Sequence, residues 1–308
     1  MDLSTDFGLL LSRCWIDTIL VLYAKYPSVY KQILSTLFEG NSDQACKNIL
    51  ELHTKNGFCV VDYLYFANVA GKQMFSQHHA LYPIDAFREA LLADYKTMNI
   101  HGVYAIYQKA ILEADVVLMD GIALQMFYFL AKKKWLDNLN GTDFCPYFLS
   151  YVKQNYPHKN MNIILYGTYP HLLEKTKDFL VNQWYTVVYA QDGYTNLNWA
   201  AIWKVLWKED DSINVLLVAR STPDYPIQEI RTLANKDSIR HHKLIVLNQA
   251  GTFDFWVGEQ KRAPKLIRSL KLERLRRLIS DPKRNIKKVV STLAIFKYIF
   301  SYLILKKE

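Results

Sequence analysis

The sequence predicts a Rossmann-like α/β fold, in which a mostly parallel sheet carries helices on both of its faces. Short apolar runs recur through the middle of the chain, and a loop and a helix-like pattern follow them. The runs also end close to a glycine or a polar residue, as strands do at an edge that binds ligands. The runs cover residues 58–65, 116–119, 162–166, 184–189, 214–219 and 243–247.

The predicted helices lie before, between and after these strands. Residues 1–55 have a helical pattern, and Lys55-Asn56-Gly57 leads from it into the first strand. Further helices are predicted at 85–95, at 171–182 and from about Ile227. We detect no internal repeat and no low-complexity segment, so a globular domain is expected.

The charge of the chain is concentrated near one end. Residues 261–308 contain fifteen Lys or Arg and three acidic residues, a net charge of +12, whereas residues 1–260 have a net charge of −3. Such a segment suits an anionic partner, such as lipid headgroups, a nucleotide diphosphate or nucleic acid. Within it, residues 289–305 carry Lys297 as their only charge, which favours a helix lying on a membrane surface over a membrane span. A docked core helix and a solvated charged helix are the alternatives.

Three parts are predicted along the chain: a helical N-terminal extension at 1–57, an α/β core at 58–264, and a basic, helical, membrane-associating appendage at 265–308. The chain opens with two aspartates and no basic residue, so no signal peptide is predicted. The apolar run at 9–24 is interrupted by Arg13 and Asp17, which favours a buried or amphipathic helix.

Several familiar motifs are absent from the sequence. The four cysteines include no C-x-x-C pair, so free thiols in a reducing cytoplasm are expected. There is no G-x-G-x-x-G, Walker, G-x-S-x-G or D-x-D motif, and the adjacent histidine pairs lack the spacing of metal ligands. We therefore predict neither a cofactor nor a metal.

The residues that remain as candidates stand at strand ends. Asp120 follows an apolar run and precedes Gly121, where a carboxylate can serve as a general base or simply form a turn. Thr97 and Asn99 are polar groups that suit either a binding site or a helix cap.

Taken in order, several segments between about residues 95 and 285 resemble the WecG/TagA/CpsF family of glycosyltransferases. The order and spacing of these segments carry the resemblance. They are Thr97-x-Asn99, Ala114-Asp115 through Asp120-Gly121, Gly141-Thr-Asp143, Leu165-Tyr-Gly167, Pro226-Ile-Gln-Glu229, Gly251-Thr-Phe-Asp254 with Gly258 and Arg262-Ala-Pro264, and Leu272-Glu273 through Arg277-Leu278 and Asp281-Pro282 to Arg284.

The resemblance implies a metal-independent, inverting transferase of cell-surface polysaccharide synthesis. Its donor would be a UDP-sugar carrying N-acetylmannosamine, its uronic acid or glucose, and its acceptor an undecaprenyl-diphosphate-linked sugar. The protein would then be cytoplasmic and peripheral on the inner face of the cell membrane, with no cofactor and no nucleic-acid partner.

The resemblance also assigns roles to individual residues. Asp120 would be the general base that deprotonates the acceptor hydroxyl. In place of a metal, Arg277 and Arg284 would neutralise the leaving diphosphate. The implied substrate-binding residues are Thr97, Asn99, Gly167, Gln228, Asp254, Arg262, Arg277 and Arg284.

Three positions depart from the family pattern. Asn138 stands where an arginine is common, Ile227 replaces a lysine, and Arg274 replaces a tryptophan. Altered donor specificity is one interpretation. The alternative is a non-catalytic, membrane-associated partner of a polysaccharide assembly complex. Nucleic-acid binding, suggested only by the basic segment, is disfavoured because the aromatic residues there lie apart from the basic cluster.

Overall fold

One parallel sheet forms the centre of the molecule. The computed structural model describes residues 34–65, 114–195, 197–206, 212–219, 243–249 and 251–259. The strands are β1 (Phe58–Tyr65), β2 (Val116–Asp120), β3 (Met161–Gly167), β4 (Thr186–Gln191), β5 (Ile213–Ala219) and β6 (Leu244–Asn248). Their order is β2-β1-β6-β5-β3-β4, and every neighbouring pair is parallel. The predicted parallel sheet is confirmed.

Helices flank these strands along the described chain. They are α1 (Ser42–Asn56), α2 (Ile122–Lys132), α3 (Gly141–Asn155), α4 (Pro170–Asn182), α5 (Trp199–Leu206) and α6 (Thr252–Trp256). Local sequence sets the bounds of α1. Asn41 and Gln44 exchange side-chain to backbone hydrogen bonds of 2.9 Å at its start, and Gly57 ends it at φ 71°.

Both faces of the sheet are covered, so its strands are continuous apolar runs and not alternating ones. On one face, residues such as Ile163 and Leu165 pack against α1, α3, α4 and α6, and we call this the four-helix face. On the other, the α5 face, Ile164 and Tyr166 pack against α5. The predicted arrangement with helices on both faces is therefore confirmed.

The end of the predicted N-terminal extension shares this core. Ala45, Cys46 and Ile49 of α1 are completely buried on the four-helix face. Farther upstream, Leu37 forms a parallel bridge with Val117 at the outer side of β2. The division of the chain at residue 57 stays a prediction, but residues 42–56 pack on the sheet.

Buried polar side chains satisfy one another where the strands begin, an edge we call the amino edge. Asn162 Nδ2 donates to Asn214 Oδ1 at 3.0 Å, and Ser212 Oγ donates to the same oxygen at 3.2 Å. Asn214 Nδ2 in turn donates to the Lys243 carbonyl at 2.9 Å. This network ties the starts of β3, β5 and β6 together.

A few sequence predictions differ from the structure or fall outside it. β4 begins at Thr186, two residues late, because Trp184 adopts φ 63° in an exposed turn after α4. The predicted helices at 85–95 and near Ile227, and the appendage at 265–308, lie outside the described residues. Among the described helices, none combines the length and the apolar character needed to cross a bilayer.

Candidate active site

The strands end together at one edge of the sheet, which we call the carboxyl edge. Asp120 ends β2, Gly167 ends β3 and Asn248 ends β6. The chain passes from β3 outward to β4 but from β5 to β6 in the opposite direction, so the strand order reverses between β3 and β5. Open parallel sheets bind ligands beyond their carboxyl ends at such a reversal. This edge is therefore the candidate active site.

A hydrogen-bonded turn fixes the position of Asp120. Gly121 follows at φ 94°, and its N–H donates to Asn138 Oδ1 at 2.7 Å. The Leu139 N–H donates to the Met119 carbonyl at 2.9 Å, so the returning chain is held against the end of β2. Asp120 is partly buried. A carboxylate held in this way keeps its direction without losing access to a ligand, as a general base requires.

A buried polar chain lies beside Asp120 on the four-helix face. Gln249 Nε2 donates to the Tyr63 hydroxyl at 3.3 Å, and Thr252 Oγ1 donates to Gln249 Oε1 at 3.1 Å. Burial raises the pKa of Tyr63 well above 10, and the charge of the nearby Asp120 carboxylate raises it further. The phenol therefore stays protonated at neutral pH.

The end of β3 is too crowded for any side chain. Gly167 has φ 121°, and a Cβ on it would lie 2.4 Å from the Ala219 carbonyl oxygen of β5. That oxygen also accepts a hydrogen bond of 3.1 Å from the Thr168 N–H, and the Gly193 N–H donates to the Thr168 carbonyl at 3.1 Å. Only glycine fits here, so backbone lines the edge where the strand order reverses.

Exposed aromatic rings stand next to this point. Tyr169 and Tyr194 are 55% and 65% exposed, and their ring centroids are 5.2 Å apart. His171 stacks on Tyr169 at 5.9 Å. Flat rings open to solvent beside a backbone-lined crevice can stack on a planar ligand group.

Asp254, the third predicted residue that the structure describes, lies in α6. It is partly buried, while its neighbour Phe253 is completely buried and stacks on Trp256. Trp256 stacks in turn on Phe179 of α4 at 5.7 Å. Because α6 follows Gln249 almost directly, this packing keeps Asp254 close to the carboxyl edge.

The structure thus brings Asp120, Gly167 and Asp254 to one edge of the sheet. Asp120 and Gly167 are separated by four strand spacings of about 4.8 Å each, or roughly 19 Å. An elongated ligand is needed to reach both of them. The other predicted binding residues lie outside the described residues; these are Thr97, Asn99, Gln228, Arg262, Arg277 and Arg284.

A second polar pair lies on the α5 face and was missed in the sequence. Asp62 and Asn248 are 1% and 7% exposed, and Asn248 Nδ2 donates to Asp62 Oδ1 at 3.4 Å. Within the described part of the chain, Asp62 Oδ2 and Asn248 Oδ1 have no hydrogen-bond partner. Burial raises the pKa of Asp62 to about 7. The sequence contained a feature that could have identified Asp62, because it is the only charged residue in the apolar run 58–65.

Tyr63, Gln249 and the hydrogen bond by which Asn138 holds the turn after Asp120 were missed as well. Tyr63 was hidden within a strand of hydrophobic character, and Gln249 follows the last strand without any motif. Asn138 was noted only as the position of an absent arginine, yet its amide holds the turn after Asp120. Their roles arise from pairings across the sheet, which one sequence does not reveal.

Among the described residues, no group of three or more His, Cys, Asp or Glu is arranged to hold a metal ion.

Comparison with known proteins identifies the kind of enzyme. The model of the family described as "Glycosyl transferase WecG/TagA/CpsF family" matches residues 74–308, more than two thirds of the chain. The match includes Asp120 and every strand except β1. The protein therefore belongs to the WecG/TagA/CpsF family of glycosyltransferases, enzymes of cell-surface polysaccharide synthesis.

Proposed function

We propose that this glycosyltransferase moves a hexose or N-acetylhexosamine, of the N-acetylmannosamine, N-acetylmannosaminuronate or glucose type, from a UDP-sugar to an undecaprenyl-diphosphate-linked sugar. Transfer inverts the anomeric centre and needs no metal, and it takes place at the inner face of the cell membrane. The observation that carries the proposal is the partly buried carboxylate of Asp120, held by the Gly121–Asn138 hydrogen bond at the carboxyl edge.

In this mechanism Asp120 acts on the acceptor. Its carboxylate accepts the proton of the acceptor hydroxyl while that oxygen forms a bond to the anomeric carbon of the donor. The bond from the anomeric carbon to the diphosphate oxygen breaks on the opposite side, and UDP leaves with the bonding electrons. One displacement inverts the configuration. General-base catalysis of this kind contributes about 10²–10⁴-fold to a rate.

The width of the carboxyl edge supports an extended donor. The rings of Tyr169 and Tyr194, beside Gly167, suit the uracil base, since stacking on aromatic side chains accepts any base. With the base there, the sugar would extend along the edge toward Asp120, roughly 19 Å away by strand spacing. The cations expected to balance the leaving diphosphate, Arg277 and Arg284, are assigned by family resemblance.

The substitution at Asn138 bears on the competing proposal of a non-catalytic partner. The arginine that family members commonly have there is absent. Asn138 instead supports the catalytic turn, because its side-chain oxygen accepts the Gly121 N–H. Support for the turn would be retained in a working enzyme, so we favour catalysis over a scaffolding role.

The test is UDP release from a panel of UDP-sugars in EDTA, with and without a polyprenyl-diphosphate sugar. We expect acceptor-dependent release by the natural chain and a fall of about 10²–10⁴-fold in kcat for Asp120→Asn, with an unchanged melting temperature. Asp137→Asn is the matched control, because Asp137 is an exposed carboxylate in the same returning loop.

Each result decides between the proposals. Full activity of Asp120→Asn would remove Asp120 from the mechanism. No release from any UDP-sugar by the folded natural chain would reject the proposed donor class and favour the non-catalytic partner.

A further inference from the structure

An exposed group of aromatic and basic side chains follows the catalytic turn. Phe129 and Trp135 are 43% and 47% exposed, and their rings meet edge to face with centroids 5.9 Å apart. Lys132, Lys133 and Lys134 lie between them in sequence and are all exposed. We call these five residues the lysine–aromatic patch. Exposed apolar rings grouped beside cations mark a surface suited to an interaction.

The patch is held in place and is not a frayed helix end. Lys133 ends α2 at φ 59°, and its N–H donates to the Phe129 carbonyl at 2.8 Å. Gln125 Nε2 donates to the Leu136 carbonyl at 2.6 Å, which anchors the chain on the far side of Trp135. On the inner side, the buried Tyr128 donates its hydroxyl to Glu39. The rings and the cations therefore keep a fixed arrangement.

The charge of the patch is positive at its outer end. Lys134 pairs with Glu39 at 2.6 Å, whereas Lys132 and Lys133 form no salt bridge in the described part of the chain. Asp137, also exposed, is the nearest acid in sequence. Glu39 also feels the charge of Lys132, so the three lysines face two acids, Glu39 and Asp137, and the patch keeps a net positive charge. Cations next to exposed Trp and Phe match the headgroup region of an anionic bilayer, where cations meet phosphate and aromatic rings reach the acyl boundary.

We propose that the lysine–aromatic patch is a membrane contact that rests on an anionic lipid surface, in addition to the basic appendage predicted at 265–308. The returning loop runs from Trp135 to Asn138, whose side chain holds Gly121, so it links the patch, at the end of α2 farther from Asp120, to the carboxyl edge. The inference does not require sugar transfer. A nucleic acid fits less well, because the rings form an edge-to-face pair at a helix end and not a platform along a groove.

The first test asks whether Trp135 of the full chain reaches the acyl chains of a bilayer. It uses phosphatidylglycerol vesicles whose acyl chains carry bromine, a short-range quencher of tryptophan fluorescence. We expect bound protein to be quenched, and Trp135→Phe to lower the quenched fraction. Trp184→Phe is the matched control: Trp184 is 87% exposed but lies before β4 at the amino edge, so its removal should leave that fraction unchanged.

The second test changes charge without disturbing the fold. Lys133→Gly removes one cation at a left-handed position that glycine adopts without strain, so its melting temperature should not fall. We expect its partition onto phosphatidylglycerol vesicles to fall about fivefold, equivalent to ~1 kcal/mol per charge. Lys47→Ala, which removes an exposed lysine from α1, is the control and should leave partition unchanged.

Other outcomes would overturn the proposal. They are equal quenching of the natural chain and Trp135→Phe, unchanged partition of Lys133→Gly, or a preference of the natural chain for RNA or protein over vesicles. If Lys133→Gly partitions onto vesicles like the natural chain but melts at a lower temperature, the lysine serves only the negative end of the α2 dipole. Neither vesicle assay contains a sugar nucleotide, so these results are independent of the proposed transferase activity.

Discussion

The two edges of the sheet treat buried polar groups differently. At the amino edge, Asn162, Ser212 and Asn214 satisfy one another and the Lys243 carbonyl within 3.2 Å. At the carboxyl edge, Asp62 and Asn248 each keep an oxygen that no described residue hydrogen-bonds. Both sets are buried, so exposure to solvent does not explain the difference. The amino edge has one exception, because His53 Nε2, near Lys243, also has no hydrogen-bond partner among the described residues.

Positive φ angles occur at both edges, because Gly57 and Trp184 adopt them just before β1 and β4. What distinguishes the carboxyl edge is a crowded backbone contact. The carboxyl edge holds Gly121 and Gly167 at positive φ, and Gly167 lies against Ala219 without space for a side chain. Unpaired buried groups and unusual backbone angles cost stability and collect where a protein binds ligands. The comparison teaches that a hydrogen-bonded network stabilises the amino edge, whereas the carboxyl edge carries the Asp62–Asn248 pair and the crowded Gly167, features typical of ligand-binding edges.

The largest loss of stability at either edge should come from Gly167→Ala. A Cβ 2.4 Å from a backbone oxygen, on a residue at φ 121°, combines overpacking with backbone strain. We expect a loss of roughly 2–6 kcal/mol in the free energy of unfolding. Gly251→Ala is the control, since Gly251 has φ −106° and nothing within 4 Å of an added Cβ. Urea unfolding measures both, and equal stability would show that β3 and β5 move apart easily.

Asn214→Ala tests the amino edge. It removes the centre of the network and leaves Asn162, Ser212 and the Lys243 carbonyl without these partners, so we expect a loss of about 2–4 kcal/mol. Turnover per folded molecule should not change. Asn160→Ala removes an exposed amide near the same edge and should have little effect. A lowered kcat in the folded Asn214→Ala variant would contradict a purely structural role.

The smallest expected effect is on the pH dependence of the free energy of unfolding, to which Asp62 and His53 contribute in opposite directions. Burial raises the folded pKa of Asp62 to about 7, so between about pH 4 and 7 the folded state holds a proton that the unfolded chain has lost. Its contribution to stability is thus present at low pH and is lost as pH rises. Burial lowers the pKa of His53 to about 4, so its contribution is lost as pH falls below about 6.5.

The two contributions oppose each other, and Asp62→Asn should separate them. We expect the free energy of unfolding of this variant to rise more steeply with pH than that of the natural chain, by up to about 1.4 kcal/mol per pH unit between pH 4.5 and 6.5. Urea unfolding at three pH values measures the slopes. Parallel slopes would mean that Asp62 is already ionised in the folded protein.

Much of the fold was predictable because a parallel sheet covered on both faces produces uninterrupted apolar runs. The run 58–65 became β1, and the run 116–119 became β2 with Asp120 added. Strand order was not predictable, since nothing local in β1 indicates that its neighbours are β2 and β6. The start of β4 was misplaced because Trp184 is apolar yet exposed.

The site was predictable only where chemistry is visible in one residue. Asp120 and Gly167 stood out as an acid and a glycine after apolar runs, and both lie at the carboxyl edge. Tyr63 and Gln249 did not, because their significance lies in a hydrogen bond between residues 186 positions apart. The same separation hid the Asp62–Asn248 pair.

The position of β1 has a consequence for how the protein is made. β1 precedes the segment that the family model matches, yet it lies between β2 and β6 in the sheet. Its pairing with β6 joins residues 186 positions apart, so on the ribosome it waits about 10–40 s for this neighbour at 5–20 residues per second. During that time an apolar strand has an open edge, which is a site of aggregation. Nascent chains stalled before residue 244 should therefore be the ones that chaperones retain.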